Sequence, residues 1–149
     1  MNHYIVDGRY KDLLEYHHID VKEVLKYADL PSNLFLTKNI KLKEKQYYRS
    51  LEAIDQIGNR EGLALLLSTT EDIEQFSPPL FASYCSKNGY MCLKRLSRYK
   101  RLIGPMGMEV KENGVIYSAG DPSSELPRFL IESEFVFLIH ILRKATKRH

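Results

Sequence analysis

The residues that could do chemistry are few, and their spacing suits holding a molecule better than breaking one. His17 and His18 stand side by side in "EYHHID". Neighbours on a helix point about 100° apart, and neither histidine has a His, Cys or carboxylate four residues on to complete a chelate. His18 instead falls at a helix end, where a cation is favoured. No metal site is expected. Cys85 and Cys92 have neither a metal-ligand spacing nor a base that the sequence assigns to them, so both are expected reduced and packed. There is no G-x-S-x-G, and "GPMG" (Gly104 to Gly107) lacks both the spacing and the Lys-Ser/Thr ending of a phosphate loop. Glu132 and Glu134, two apart on a helix, face different ways and make no acid/base pair. An enzyme is not expected, and neither is a cofactor. What remains are polar tips on apolar bodies. Tyr84, Tyr99 and Tyr117 fall on or beside core-facing stripes, and His140 sits inside "FVFLIHIL". These four are the candidate ligand-binding residues, as anchors within an apolar pocket.

The basic stretch "CLKRLSRYKRLIG" needs separate weighing, because Lys94, Arg95, Arg98, Lys100 and Arg101 are packed into it. On a helix, Cys92, Leu96, Tyr99 and Ile103 share one side and Lys94, Arg98 and Arg101 lie opposite. That is a solvated face over a buried stripe. A helix that reads bases would also need short polar residues at the groove, and Asn and Gln are absent here. The whole chain carries 22 basic and 19 acidic residues, a net charge of +3, which is mild for a nucleic-acid binder. Direct nucleic-acid binding is not expected.

These side chains must be positioned by a chain of 149 residues, 44% hydrophobic and 28% charged, the composition of one ordinary globular domain. No apolar run is long enough to span a membrane, and the first ten residues show no secretory signal, so a cytoplasmic location is expected. A weak helix is expected over residues 9 to 18 through Tyr10, Leu13, Leu14 and His17. A second is expected from Asp20, whose carboxylate can cap it, with Glu23 at capping-box spacing, to Pro31. A third should run from about Lys43 to Ile57, with Gly58 as its left-handed cap. "GLALLLS" (Gly62 to Ser68) favours helix, being rich in Leu and Ala. "FSPPLFASYCSKNG" reads as a proline-led helix stopped by Asn88-Gly89. The basic helix follows. Met108, Val110, Val115 and Tyr117 then flank Asn113-Gly114, a strong hairpin signal. The last helix begins near Leu126 or Pro127 and ends near Lys144. Ile131, Phe135, Leu138 and Leu142 form one stripe on it, with Leu130, Phe137 and Ile141 beside it. The expected fold is α+β and mainly helical, with at least one β-hairpin and a long, central C-terminal helix.

Taken in order, several segments resemble one family. "LLEYHHIDVKEVLKYADLPSNLF" and "KEKQYYRSLEAIDQIGNREGLALLLS" are similar to the opening of the N-terminal effector-sensing domain in one branch of the AraC-type transcriptional regulators, often labelled arabinose-binding-like. "SPPLFASYCSKNGYMCLKRLSRYKRLIG", the hairpin segment after it, and "LPRFLIESEFVFLIHILRKAT" resemble its paired helices, hairpin and long helix. The resemblance covers about residues 8 to 146 in pattern and order and rests on no invariant motif. It implies a bacterial sensor and dimerisation domain, normally followed by two helix-turn-helix units. Here the sequence stops after the long helix, so the DNA-binding domain and some further strands and helices of the family are not expected within these residues. The 149 residues would be either a fragment of a longer regulator or a short relative that senses or dimerises without binding an operator. Residues 1–149 are therefore expected to form a single regulatory domain with an unidentified small-molecule effector and a capacity to form a homodimer. Members of the family respond to chemically unrelated effectors, so "arabinose" is not carried over. The alternative is a stand-alone helical protein-interaction module with no small-molecule ligand.

Overall fold

The computed structural model describes residues 3–6, 10–37, 40–68 and 87–146. Its first two helices end in the same way. α1 (Tyr10–Tyr16) and α2 (Val21–Tyr27) stop where His18 and Asp29 take left-handed backbones, at φ 58° and 56°. The Ile19 N–H then donates to the Leu14 carbonyl and the Leu30 N–H to that of Leu25, each at 2.9 Å. This Schellman arrangement satisfies carbonyls that a helix end leaves over and turns the next residue inward. Leu14, Ile19, Leu25 and Leu30 are all buried. Burying such a pair outweighs the roughly 1–2 kcal/mol that a side chain costs in the left-handed region. The start of α2 matches the sequence reading, since Asp20 Oδ1 accepts from the N–H groups of Lys22 (3.0 Å) and Glu23 (3.3 Å).

α3 (Glu44–Gly58) ends one residue later than expected. Asn59, not Gly58, takes the left-handed conformation, at φ 42°. Gly58 stays helical, and its missing side chain serves packing: a Cβ there would stand 2.6 Å from Leu63 Cδ2. That close approach seats α4 (Leu63–Ser68), which is helical as expected, with Leu63, Ala64 and Leu67 buried and Leu65 and Leu66 exposed. β1 (His3–Val6) pairs antiparallel with β2 (Ile40–Lys43), Val6 opposite Ile40 and His3 opposite Lys43. This two-stranded sheet adds to the hairpin expected from the sequence. Its clue was the alternation in β2, where Ile40 and Leu42 are buried and Lys41 and Lys43 exposed.

The proline-led helix expected in "FSPPLFASYCSKNG", with Tyr84 and Cys85, lies outside the described residues up to Ser86. Asn88, read from sequence as part of a stop, is instead the N-cap of α5 (Gly89–Ile103), its Oδ1 accepting from the Met91 N–H at 2.9 Å. The helix is amphipathic as read. Cys92 and Leu96 are buried, Tyr99 is half-buried, and Lys94, Arg98 and Arg101 are exposed. β3 (Gly107–Lys111) and β4 (Gly114–Ser118) form the expected hairpin, in which Lys111 pairs with Gly114. Glu112 and Asn113 therefore make the turn, one residue before the Asn-Gly pair. The register places Met108 opposite Tyr117 and Val110 opposite Val115, so all four side chains share the face that packs on α5 and the last helix. That shared burial selects the register.

α6 (Arg128–Thr146) joins the apolar clusters. Phe129 packs with the buried residues of α1 to α4 and β2. Leu130 packs with Tyr48 and Met106, and Ile141 with Cys92, Leu96 and Met108. The fold is thus α+β and mainly helical, with its long C-terminal helix in contact with α3, α4 and α5. One expectation fails on that helix. Ile131 (40% exposed) and Phe135 (53%) face outward, together with Ile139 (51%), and the buried side runs through Leu130 and Ile141 instead. No helix among the described residues is long and apolar enough to cross a membrane.

Asp20→Ala leaves two first-turn N–H groups without their acceptor. It should lower stability by about 1 kcal/mol in a urea titration, and Asp20→Ser should lose much less.

Candidate functional site

Lys100 follows Leu96 by one helical turn, on the side that α5 buries, and its side chain is only 5% exposed. A buried ammonium must be paired or give up its proton. Its partner is Glu134 on α6, whose Oε2 accepts from Lys100 Nζ and whose side chain is 14% exposed. Each charge interrupts an apolar stripe. Glu134 stands four residues after Leu130 and seven before Ile141, so both helices turn an ionised residue toward the other at the level where they cross. Lys100 Nζ also lies 5.7 Å from the centre of the Tyr117 ring. Tyr117 meets Phe135 edge to face, with centroids 5.9 Å apart and planes at 77°. The pair thus links α5, the hairpin and α6 in one array.

Behind it the chain is drawn tight. Gly104, Pro105, Met106 and Gly107, the "GPMG" segment, form the buried connector from α5 to β3. A Cβ at Gly104 would lie 3.3 Å from Tyr47 Oη, and one at Gly120 would lie 2.6 Å from the Pro105 carbonyl oxygen. Glu44, in the first turn of α3, fastens the loop before α6. Its Oε1 accepts from the Tyr48 hydroxyl at 2.7 Å and from the Asp121 N–H at 3.0 Å.

Between these elements is a cleft of about 240 Å³. β4 contributes Val115 and Tyr117, α6 contributes Ile131, Glu134 and Phe135, and the connectors supply Met106 and Leu126. Glu134 is the one charged side chain among the described residues of this lining. Its counter-ion, Lys100, is nearly buried and is not among the described residues of this lining. Burial, and then the negative charge of Glu134, hold the Tyr117 phenol above its ordinary range. Burial raises the Tyr47 phenol as well, followed by the influence of Tyr10, Glu134 and Tyr48. Both phenols are therefore neutral at physiological pH, able to donate a hydrogen bond and unsuited to act as bases. Such a set can bind and orient a molecule.

Of the candidates read from sequence, Tyr117 lines the cleft. Tyr99 on α5 and His140 on α6 are half-buried and do not line it; His140 lies six residues beyond Glu134, about 9 Å along the axis. Tyr84 is outside the described residues. Sequence reasoning missed Lys100, Glu134, Phe135 and Met106. A signal for the first two was present: a lone basic residue on the apolar stripe of one helix and a lone acidic residue on that of another. Glu132, by contrast, pairs on the surface with Arg128, 2.6 Å away, so the two carboxylates do face different ways. Lys94, Arg98 and Arg101 face solvent, with Lys94 Nζ 5.5 Å from the Tyr90 ring centre. Among the described residues no group of His, Cys, Asp and Glu could hold a metal ion. His17 is buried near Arg60, whose guanidinium donates to its carbonyl oxygen. Burial, followed by the charges of Arg60 and His18, lowers the His17 imidazole pKa. No family model matches this chain, and a search of curated proteins finds none that resembles it. Function has to be argued from the geometry.

Lys100→Met alone strands the Glu134 carboxylate and should cost about 3 kcal/mol, whereas Lys100→Met with Glu134→Gln should recover most of that loss. Equilibrium unfolding of the four proteins of this cycle measures the coupling. The phenols set a second expectation. Tyr117 keeps its proton in the folded state at a pH where the unfolded chain, with ordinary pKa near 10, releases it. Stability is therefore full below about pH 10 and falls as pH rises above it. Tyr117→Phe should flatten that decline in unfolding curves recorded from pH 9 upward.

Proposed function

We propose that residues 1–149 act as the effector-sensing and dimerisation domain of an AraC-type bacterial transcriptional regulator, in the cytoplasm and doing no chemistry. The observation that carries the sensing part is the cleft's position. A molecule held against Tyr117 and Phe135 touches the hairpin and α6 at once, directly over the ion pair that joins α6 to α5. Binding there would favour one packing of these three elements, and a coupled subunit or domain would feel that bias. The family part is supported by the order of segments, with α5 leading into a hairpin and then into a long helix. In this reading Lys94, Arg98 and Arg101 of α5 are a solvated face, and DNA contact belongs to a separate part of the regulator.

The second reading, a protein-interaction module with no small-molecule ligand, has its own support. Ile131, Phe135 and Ile139 recur every four residues on the outer side of α6, which is the spacing of a helix that docks a partner. A thermal-shift screen against amino acids, sugars and fatty acids separates the two. A sensor should gain stability with a ligand, equivalent to about 2.7 kcal/mol at a hundredfold excess over Kd, and Phe135→Ala should abolish the gain. A screen silent throughout, beside a homodimer that Ile139→Lys dissociates in sedimentation, would favour the module.

A further inference from the structure

We infer that the cleft selects small organic amines, molecules with a compact apolar or aromatic body and one protonated nitrogen. This deepens the sensing reading and rests on it. The argument begins with what an occupant would meet. Its body would lie against Met106, Leu126, Ile131 and the edge-to-face rings of Tyr117 and Phe135. Its polar end would meet Glu134, the sole charged side chain among the described residues of that lining. Lys100, the charge facing Glu134 from α5, is sealed beneath, with its side chain 5% exposed. The cleft therefore presents a carboxylate and withholds the ammonium. Glu134 Oε2 accepts from Lys100, and a carboxylate has about four acceptor positions over its two oxygens, so it can take a second cationic donor. A ligand carboxylate would meet like charge at Glu134, and Lys100, already bonded to Glu134, is not among the described residues of that lining. A ligand hydroxyl could donate a hydrogen bond, but a neutral one, about half as strong as the charge-assisted bond from an ammonium. Lys100, which already bonds Glu134 and lies 5.7 Å from the centre of the Tyr117 ring, works against a second cation, and this keeps the expected selectivity moderate. Size sets the remaining limit: 240 Å³ is the space of roughly eight liquid waters, enough for a single ring with a short arm.

The test compares 2-phenylethylamine, 2-phenylethanol and phenylacetate by titration calorimetry against the full chain at pH 7. The amine should bind about tenfold more tightly than the alcohol, and phenylacetate weakest of all. Glu134→Gln alone would leave Lys100 buried without a counter-ion, so the decisive variant is Lys100→Met with Glu134→Gln, checked for an unchanged helical circular dichroism spectrum. In it the amine and the alcohol should bind within about twofold of one another, while Phe135→Ala should weaken all three probes. Equal binding of amine and alcohol to the parent protein, both weakened by Phe135→Ala, overturns the amine assignment and leaves the cleft as a ligand site. An amine preference that survives in the double variant overturns it too. If none of the three probes binds, the assignment falls, and the broader screen above decides separately whether the cleft is a sensor.

Discussion

Burying a lysine among apolar side chains is unfavourable unless an anion is brought to it, and the arrangement around α5 and α6 follows from that requirement. Lys100 and Glu134 each stand where the helical repeat calls for an apolar residue. Desolvating both would cost several kcal/mol per ion if either remained alone. Each helix therefore satisfies the other, and the pair fixes their relative rotation. Once Glu134 faces α5, Leu130 and Ile141 are carried to the same side and become buried. Phe135, the next residue along, is turned about 100° away. It is left at the surface with Ile131, and the cleft forms there.

The ion pair can hold this geometry because the backbone around it is crowded. Gly104 makes room for the Tyr47 hydroxyl and Gly120 for the Pro105 carbonyl. Glu44 reaches across from α3 to take the Asp121 N–H. These contacts tie the α3 side of the molecule, where most of the buried leucines lie, to the hairpin side, where Cys92, Leu96 and Ile141 pack. α6 runs through both. A ligand in the cleft would touch the hairpin cluster through Val115 and Tyr117 and the smaller cluster of Tyr48, Met106 and Leu130 through Met106 and Leu126.

Much of this was legible residue by residue. Asp20 announced α2, the solvated face of α5 was visible in Lys94, Arg98 and Arg101, and the hairpin followed from alternation around residue 113. Tyr117 was singled out as a polar tip on a buried stripe, and it lines the cleft. Gly58 and Asn113-Gly114 misled by one residue each. In both places packing of nearby side chains goes with the observed choice, Leu63 against Gly58 in the first case and the facing pair Met108 and Tyr117 in the second.

The sequence by itself determined where most of the described helices lie and, apart from α6 and Lys100, which side of them is inner, because caps, helical repeats and end motifs act within about ten residues of chain. Leu14 with Ile19 and Leu25 with Leu30 close their helix ends by backbone hydrogen bonds between residues five apart. Only the tertiary structure decided that β1 meets β2, that one lysine of a basic helix is interior while its neighbours are wet, and that the outer residues of α6 border a cleft. Each of those outcomes depends on which faces meet across long stretches of chain. The free energy of such a meeting belongs to pairs of segments, and no single segment carries it.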